Sequence, residues 1–279
     1  MAEGYPLDPE RAFINKWNMH KLLQAERDLP FFLPETLLFS RDSFSILLNK
    51  YKDIYIKSVS SWGGSKVGRI VCGESSFSLS IQGDTPRIKE NIEELYDDLA
   101  SYYKEELCLV QQTAPLLSCR GRPFDIRTHL QKDLEEGWLY AGDLVRIGGQ
   151  GSIVSNVAIS SGEVKPTEEI LTELLQGKTS LIQQRLLASS LQVCGILDKY
   201  HSFLDIGIDF GIDADGSLWL IEVNTDDLYG GPAQQLFAML PDQSLYLGIL
   251  KNSERISRQA ATLLFREYQK YVKEMNDPN

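Results

Sequence analysis

One stretch, DFGIDADGSLWLIEVN from Asp209 to Asn224, limits the possible folds of this chain more than any other. Ile206, Ile208, Phe210 and Ile212 recur at every second position on its first arm, and Trp219, Ile221 and Val223 on its second, the period of strands with one buried face. Between the arms lies Asp215-Gly216, the pair that a two-residue type I′ turn prefers because both central positions need positive φ. Such a turn opposes Ala214 and Ser217, and counting outward sets Asp209 opposite Glu222; a four-residue turn keeps that register. Both carboxylates then share a face, with Asn224 about 6 to 7 Å further along it. Gly207 and Gly211 leave that face open.

Two carboxylates side by side repel, and one protonates unless a cation lies between them. Asp209, Glu222 and the amide oxygen of Asn224 are hard ligands, suited to Mg²⁺, which keeps some waters and draws the rest of its shell from substrate phosphates. They point to a Mg-nucleotide site. A solvent-facing hairpin whose polar residues are hydrated fits the same pattern, so the remainder of the chain has to weigh in.

At 279 residues the chain is long enough for one large domain or two subdomains around a cleft. Hydrophobic residues at 43% against 24% charged supply a core and argue against disorder. Twenty-eight basic against 39 acidic residues, a net −11 with no Lys/Arg block, argue against a nucleic-acid partner. The cysteines Cys72, Cys108, Cys119 and Cys194 form no CxxC pair, and His20, His129 and His201 lie far apart, which speaks against zinc. The first residues lack a basic segment followed by an apolar core, and no apolar run approaches bilayer length, so the expectation is a cytoplasmic protein with reduced thiols and no membrane partner.

Along the chain, NKWNMHKLLQ and DSFSILLNKYK read as helices on either side of a loop and strand at LPETLLF. DIYIKS, VGRIVCG and SFSLSIQG read as strands, the first two separated by VSSWGGSK. Residues 86–104 read as one helix opening at Pro86. After the strand LCLVQQ, FDIRTHLQKD and GWLYAGDLVRIGG form a hairpin, KPTEEILTELL and SLIQQRLLASSLQVCGILDKY are helices divided near Gly177, and the tail beyond the 209–224 hairpin is helical. Interleaved strands and helices mean α/β or α+β with several antiparallel pairs.

Lys57 ends a strand just before the glycine loop with Gly63, Gly64 and Ser65. A lysine supplies point charge to a triphosphate, and glycines let backbone N–H groups approach its oxygens. This is no Walker loop, since Arg69-Ile70 follows where Lys and Ser or Thr are required, and an ordinary hairpin turn fits too. LCLVQQ, if an edge strand, could offer one N–H and one C=O to adenine; as a core strand it could not. Arg127 and Arg146 fall on adjacent strands, with Ser152 and Asn156 in the following turn, and arginine binds phosphate or carboxylate bidentately. Pairing of Arg127 with Asp125 or Asp143 on a solvated sheet face is the other option.

In order, NKWNMHKLL, YIKSVSSWGGSKVGRI, FDIRTHLQKD, WLYAGDLVRIGGQGSIVSN and DIGIDFGIDADGSLWLIEVN resemble the ATP-grasp superfamily, most closely its YheC/YheD-like group, first described from endospore coat-associated proteins. The FDIR, VR and SN series is also similar to the ligases that add glutamate to ribosomal protein tails, and the Asp209, Glu222, Asn224 spacing to D-alanine:D-alanine ligase. The resemblance implies an α+β ATP-grasp fold in a single unit of residues 1–279, without the domain that usually precedes it. Residues 15–112 would carry the glycine loop and residues 113–279 the Mg-binding hairpin and tail helices. It implies that Lys16 and Lys57 contact the nucleotide, that Gly63, Gly64 and Ser65 cover the phosphates, and that Gln111 and Gln112 lie where the hinge meets adenine. Asp209, Glu222 and Asn224 would hold Mg²⁺, with Glu222 bridging two ions. Arg127 and Arg146 would sit near the transferred phosphoryl and acyl groups, and Asn156 in the same region.

The activity implied is carboxylate-amine ligation on an amino acid or peptide: a carboxylate attacks the γ-phosphoryl of ATP and an amine displaces phosphate from the acylphosphate. A protein partner could supply the missing domain. Absence of Ser-His-Asp, Cys-His and GxSxG patterns agrees, because this chemistry needs no side-chain nucleophile. A nucleotide-binding assembly protein of the coat-associated kind, with little turnover, and a kinase that stops at a phosphorylated product are the alternatives. The sequence departs from the group at TDDLYGG after Asn224, where a proline and small residues are usual, and at ISSG, where a Gly-Gly pair is common.

Overall fold

A computed structural model describes residues 5–8, 13–61, 64, 66–104, 106–225 and 231–276. Its strands form two antiparallel sheets. The first contains β1 (Thr36–Leu38), β2 (Asp53–Ser58), β3 (Val67–Cys72), β4 (Phe77–Ile81), β5 (Arg87–Lys89) and β6 (Cys108–Gln112), in the spatial order β1-β6-β2-β3-β4-β5. The second contains β7 (Ser118–Cys119), β8 (Arg122–Asp133), β9 (Gly137–Ile147), β10 (Glu163–Lys165), β11 (Asp205–Ile212) and β12 (Leu218–Asn224), in the order β10-β9-β8-β11-β12 with β7 on β8. The helices are α1 (Lys16–Gln24), α2 (Arg41–Tyr51), α3 (Ile92–Tyr103), α4 (Val157–Ser160), α5 (Thr167–Leu174), α6 (Thr179–Leu197), α7 (Pro232–Gln235) and α8 (Ser244–Asn276). No helix among the described residues is long and apolar enough to cross a membrane.

Capping sets the helix boundaries. Ser40 and Ser43 form a capping box at α2, and the side chain of Asn15 accepts from Asn18 N at α1. The helix expected from Pro86 starts instead at Ile92, behind the N-cap Asn91, whose Oδ1 accepts from Glu93 N at 2.8 Å. Residues 87–89 pair with β4 as an edge strand, where the missing N–H of Pro86 breaks no ladder.

Each sheet has its own core. On the first, Phe44, Leu47 and Leu48 of α2 and Leu95, Leu99 and Tyr103 of α3 cover Ile54, Ile56, Ile70, Leu79 and Val110. On the second, α5 and α6 bring Ile170, Leu171, Ile182, Leu186 and Val193 onto Ile126, Val145, Ile206, Ile208 and Phe210. Each such side chain contributes roughly 1.5–3 kcal/mol relative to exposure. Met19, Leu22 and Leu23 of α1 and Phe31 join this second core, so the segment expected with residues 15–112 packs on the other sheet. On the opposite face, Phe237, Leu240 and Ile249 cover Leu144 and Val164 at one end.

The 209–224 hairpin differs from its expected form in two ways. Its loop holds three residues, with Asp213 N bonded to Ser217 O at 3.1 Å and Gly216 at φ +83°, a residue past the turn in the left-handed region. Ile212 therefore opposes Leu218 and Phe210 opposes Leu220. A bulge between Asp209 and Phe210 then restores the pairing of Asp209 with Glu222. The space expected at Gly211 is filled: a Cβ there would lie 2.4 Å from the Leu116 side chain.

Candidate functional site

The bulge determines which way the acidic residues face. Leu218 and Leu220 point into the core, and strict alternation would send Glu222 and Asn224 after them. With Ile221 as the extra residue, Val223 takes the next core position, and Ile221, Glu222 and Asn224 all line the cleft between the sheets. The expected core set of Trp219, Ile221 and Val223 is thereby corrected to Leu218, Leu220 and Val223.

The cleft has a volume of about 200 Å³ and brings together Lys16, Lys57, Gln111, Gln112, Arg127, Arg146, Asn156, Asp209, Glu222 and Asn224, together with Gly64. Gly63 and Ser65 lie outside the described residues, as does most of TDDLYGG. Gly64 has φ +80°, and a Cβ on it would meet Ile159 at 3.1 Å, so Gly64 lies against the 154–159 segment.

At the floor of the cleft, four charges alternate. Arg127 donates to Asp209 from Nε (2.5 Å) and Nη2 (3.3 Å). Arg146 donates to Asp125 from Nε (2.7 Å) and Nη2 (2.6 Å), and its Nη2 also lies 2.8 Å from Asp209 Oδ2. Ser155 donates a short hydrogen bond to Asp125, and Asn224 Nδ2 donates to Asp209 at 3.4 Å. All four charged side chains are buried, so the solvated pairing of Arg127 with Asp125 or Asp143 is replaced by an enclosed network. Burial alone would raise Asp209, but Arg127 and Arg146 outweigh it and hold its carboxyl below the usual range. Asp125 and Ser155 were not among the expected site residues. The hairpin turn at 134–136 alone would set Asp125 opposite Val145, and only a second bulge, between His129 and Leu130, brings it opposite Arg146.

Above this floor, Lys16 Nζ sits 3.1 Å from Glu222 Oε1 and donates a short bond to Ser61 O. Burial, opposed by Glu222, pulls the Lys57 ammonium down to about 8. Both lysines also line a smaller cavity of about 40 Å³ beside the cleft. β6 is flanked by β1 and β2, so its backbone is committed to the ladder and cannot act as the edge expected to meet adenine. The Gln112 side chain accepts from Glu35 N, and that of Gln111 donates to Thr36 Oγ1 at 2.7 Å. Asn156 Oδ1 caps α4 by accepting from Ile159 N at 3.2 Å.

The donor set of Asp209, Glu222 and Asn224 matches Mg²⁺ in kind, on one face of one hairpin. Among the described residues no three His, Cys, Asp or Glu side chains converge. Asp209 already has two guanidinium partners, whereas Glu222 is one-third exposed, with its ion pair to Lys16 and the charge of Lys57 nearby.

The family described as YheC/D-like ATP-grasp matches residues 8–250. The endospore coat-associated protein YheD of Bacillus subtilis (strain 168) is 29% identical over 225 residues, 77% of this chain. The chain spans 48% of that relative's length.

Proposed function

The chain belongs to the YheC/D-like ATP-grasp family, and from that premise we propose that it is an ATP-dependent carboxylate-amine ligase. The observation that carries the reading is the convergence, in one cleft between two sheets, of Lys16, Lys57, Arg127 and Arg146 with the oxygen donors Asp209, Glu222 and Asn224. Lys57 and Lys16 bind and neutralise the ATP phosphates. A substrate carboxylate attacks the γ-phosphoryl, forming an acylphosphate and releasing ADP; an amine then attacks the acyl carbon, expelling phosphate and losing a proton. Arg146 and Arg127, fixed by Asp125 and Asp209, hold positive charge beside the migrating phosphoryl without rearranging. Glu222, Asp209 and Asn224 would hold Mg²⁺, which would supply neutralisation of the phosphate charge.

A second reading, a nucleotide-binding assembly protein with little turnover, draws on one observation: both oxygens of Asp209 are occupied by arginines. Mg²⁺-dependent phosphate release from ATP with pooled amino acids and short peptides separates the two. The ligase reading expects a pool to stimulate wild type, with Glu222→Gln slower by about 10²–10³, the size of a lost electrostatic contact in a preorganised site. ATP binding without stimulation by any pool would favour the assembly reading.

A further inference from the structure

His20 is a buried polar residue for which the proposed chemistry has no role. Its ring stacks on Trp17 with centroids 5.9 Å apart, and the residue is 9% exposed. Nε2 has no hydrogen-bond partner among the described residues, although it is shut off from solvent. Leaving a buried nitrogen unpaired is costly, which asks for a partner that the described residues do not provide.

His20 lines the smaller cavity of about 40 Å³, with Lys16, Lys57, Gln111 and Glu222 among the other lining residues. Those four also line the main cleft, so the two spaces adjoin. Around them the walls are apolar, with Leu33, Leu109 and Leu220 among them. His20 follows Lys16 by four residues on α1, which sets it on the same helix face about 6 Å behind the lysine. A nucleotide whose phosphates reach Lys16 and Lys57 extends its nucleoside over a similar distance. A purine exceeds the present cavity volume, so the side chains between the two spaces must give way as it enters.

We infer that His20 contacts the nucleoside of the bound nucleotide through Nε2, and so helps to distinguish a nucleotide from a bare polyphosphate. The inference rests on the nucleotide-site reading above. Burial first and Lys57 second hold the imidazole pKa near 4, so His20 is neutral at pH 7. It therefore acts as a hydrogen-bonding group rather than as another cation for the phosphates.

Equilibrium binding of ATP and of inorganic tripolyphosphate, to wild type, His20→Leu and His20→Asn, tests this. Loss of one hydrogen bond should weaken ATP about 5- to 10-fold in His20→Leu while leaving tripolyphosphate unchanged, and His20→Asn should recover part of the loss. Unchanged ATP affinity in His20→Leu would overturn the inference. So would an equal loss for both ligands, because His20 would then act through Lys57 or through the fold. If wild type bound neither ligand, the nucleotide-site reading would be the one to fall. Circular dichroism melting of each variant identifies any that fails to fold; were His20→Leu to do so, His20→Ala compared with wild type gives the same contrast between the ligands.

Discussion

Asp209 accepts two arginines and an asparagine amide while almost fully buried, and the rest of the charge network is arranged around it. Removing its charge takes away the carboxylate that the buried Arg127 and Arg146 share, a change that costs about 3–5 kcal/mol when a buried ion pair loses one member. Asp209→Asn is therefore expected to lower unfolding free energy in urea by that amount, and a loss under about 1 kcal/mol would mean that solvent reaches the network. Lys57 has a different pH signature. Its ammonium titrates near 8 because burial outweighs the neighbouring Glu222. Above that pH the free protein carries a neutral amine, and binding an anion must take up a proton. ATP affinity should thus fall by up to about tenfold per pH unit between pH 8 and 10, with Lys57→Arg nearly flat over that range. A wild-type profile as flat as that of Lys57→Arg would remove Lys57 from the phosphate site.

At the scale of the elements, the period of the apolar residues made most strands and helices legible, but not the two bulges that decide which residues meet. Counting from Asp215-Gly216 paired Asp209 with Glu222 correctly, although the loop is one residue longer than expected and the bulge compensates. Asp125 was expected as a partner of Arg127 on a solvated face, whereas it pairs with Arg146, because that pairing depends on a shift at His129 that no periodicity reveals. α4 and β10 are four and three residues long, too short for any pattern to register. If Ile221 is the extra residue of its strand, deleting it regularises the ladder and leaves Glu222 on the cleft side. The deletion should cost about 1–2 kcal/mol, the burial of one partly covered side chain, and preserve a cooperative melt. A collapsed melt would locate the phase change elsewhere in β12.

Across the whole molecule, the site exists because two sheets, each with its own core, line one cleft. Contacts far apart in sequence join them over the cleft: Tyr55 OH donates to Ile153 O at 3.1 Å, Gln82 Oε1 accepts from Ser152 Oγ and Ile153 N, and Lys16 donates to Ser61 O. Such pairings were beyond reading from the chain, and so was the packing of α1 on the second sheet, which carries Lys16 to the hairpin. The resemblance to ATP-grasp proteins supplied the expectation of two halves around a cleft, which local patterns lack. The claim that this cleft holds a Mg-nucleotide is tested most directly by the equilibrium affinity of Mg-ATP for wild type and for Lys57→Ala at pH 7. Loss of a half-buried cation facing the phosphates should weaken binding by about 10- to 100-fold, or 1.4–3 kcal/mol, with the fold intact by circular dichroism. Equal affinity in the two proteins would contradict the assignment of the cleft as the nucleotide site.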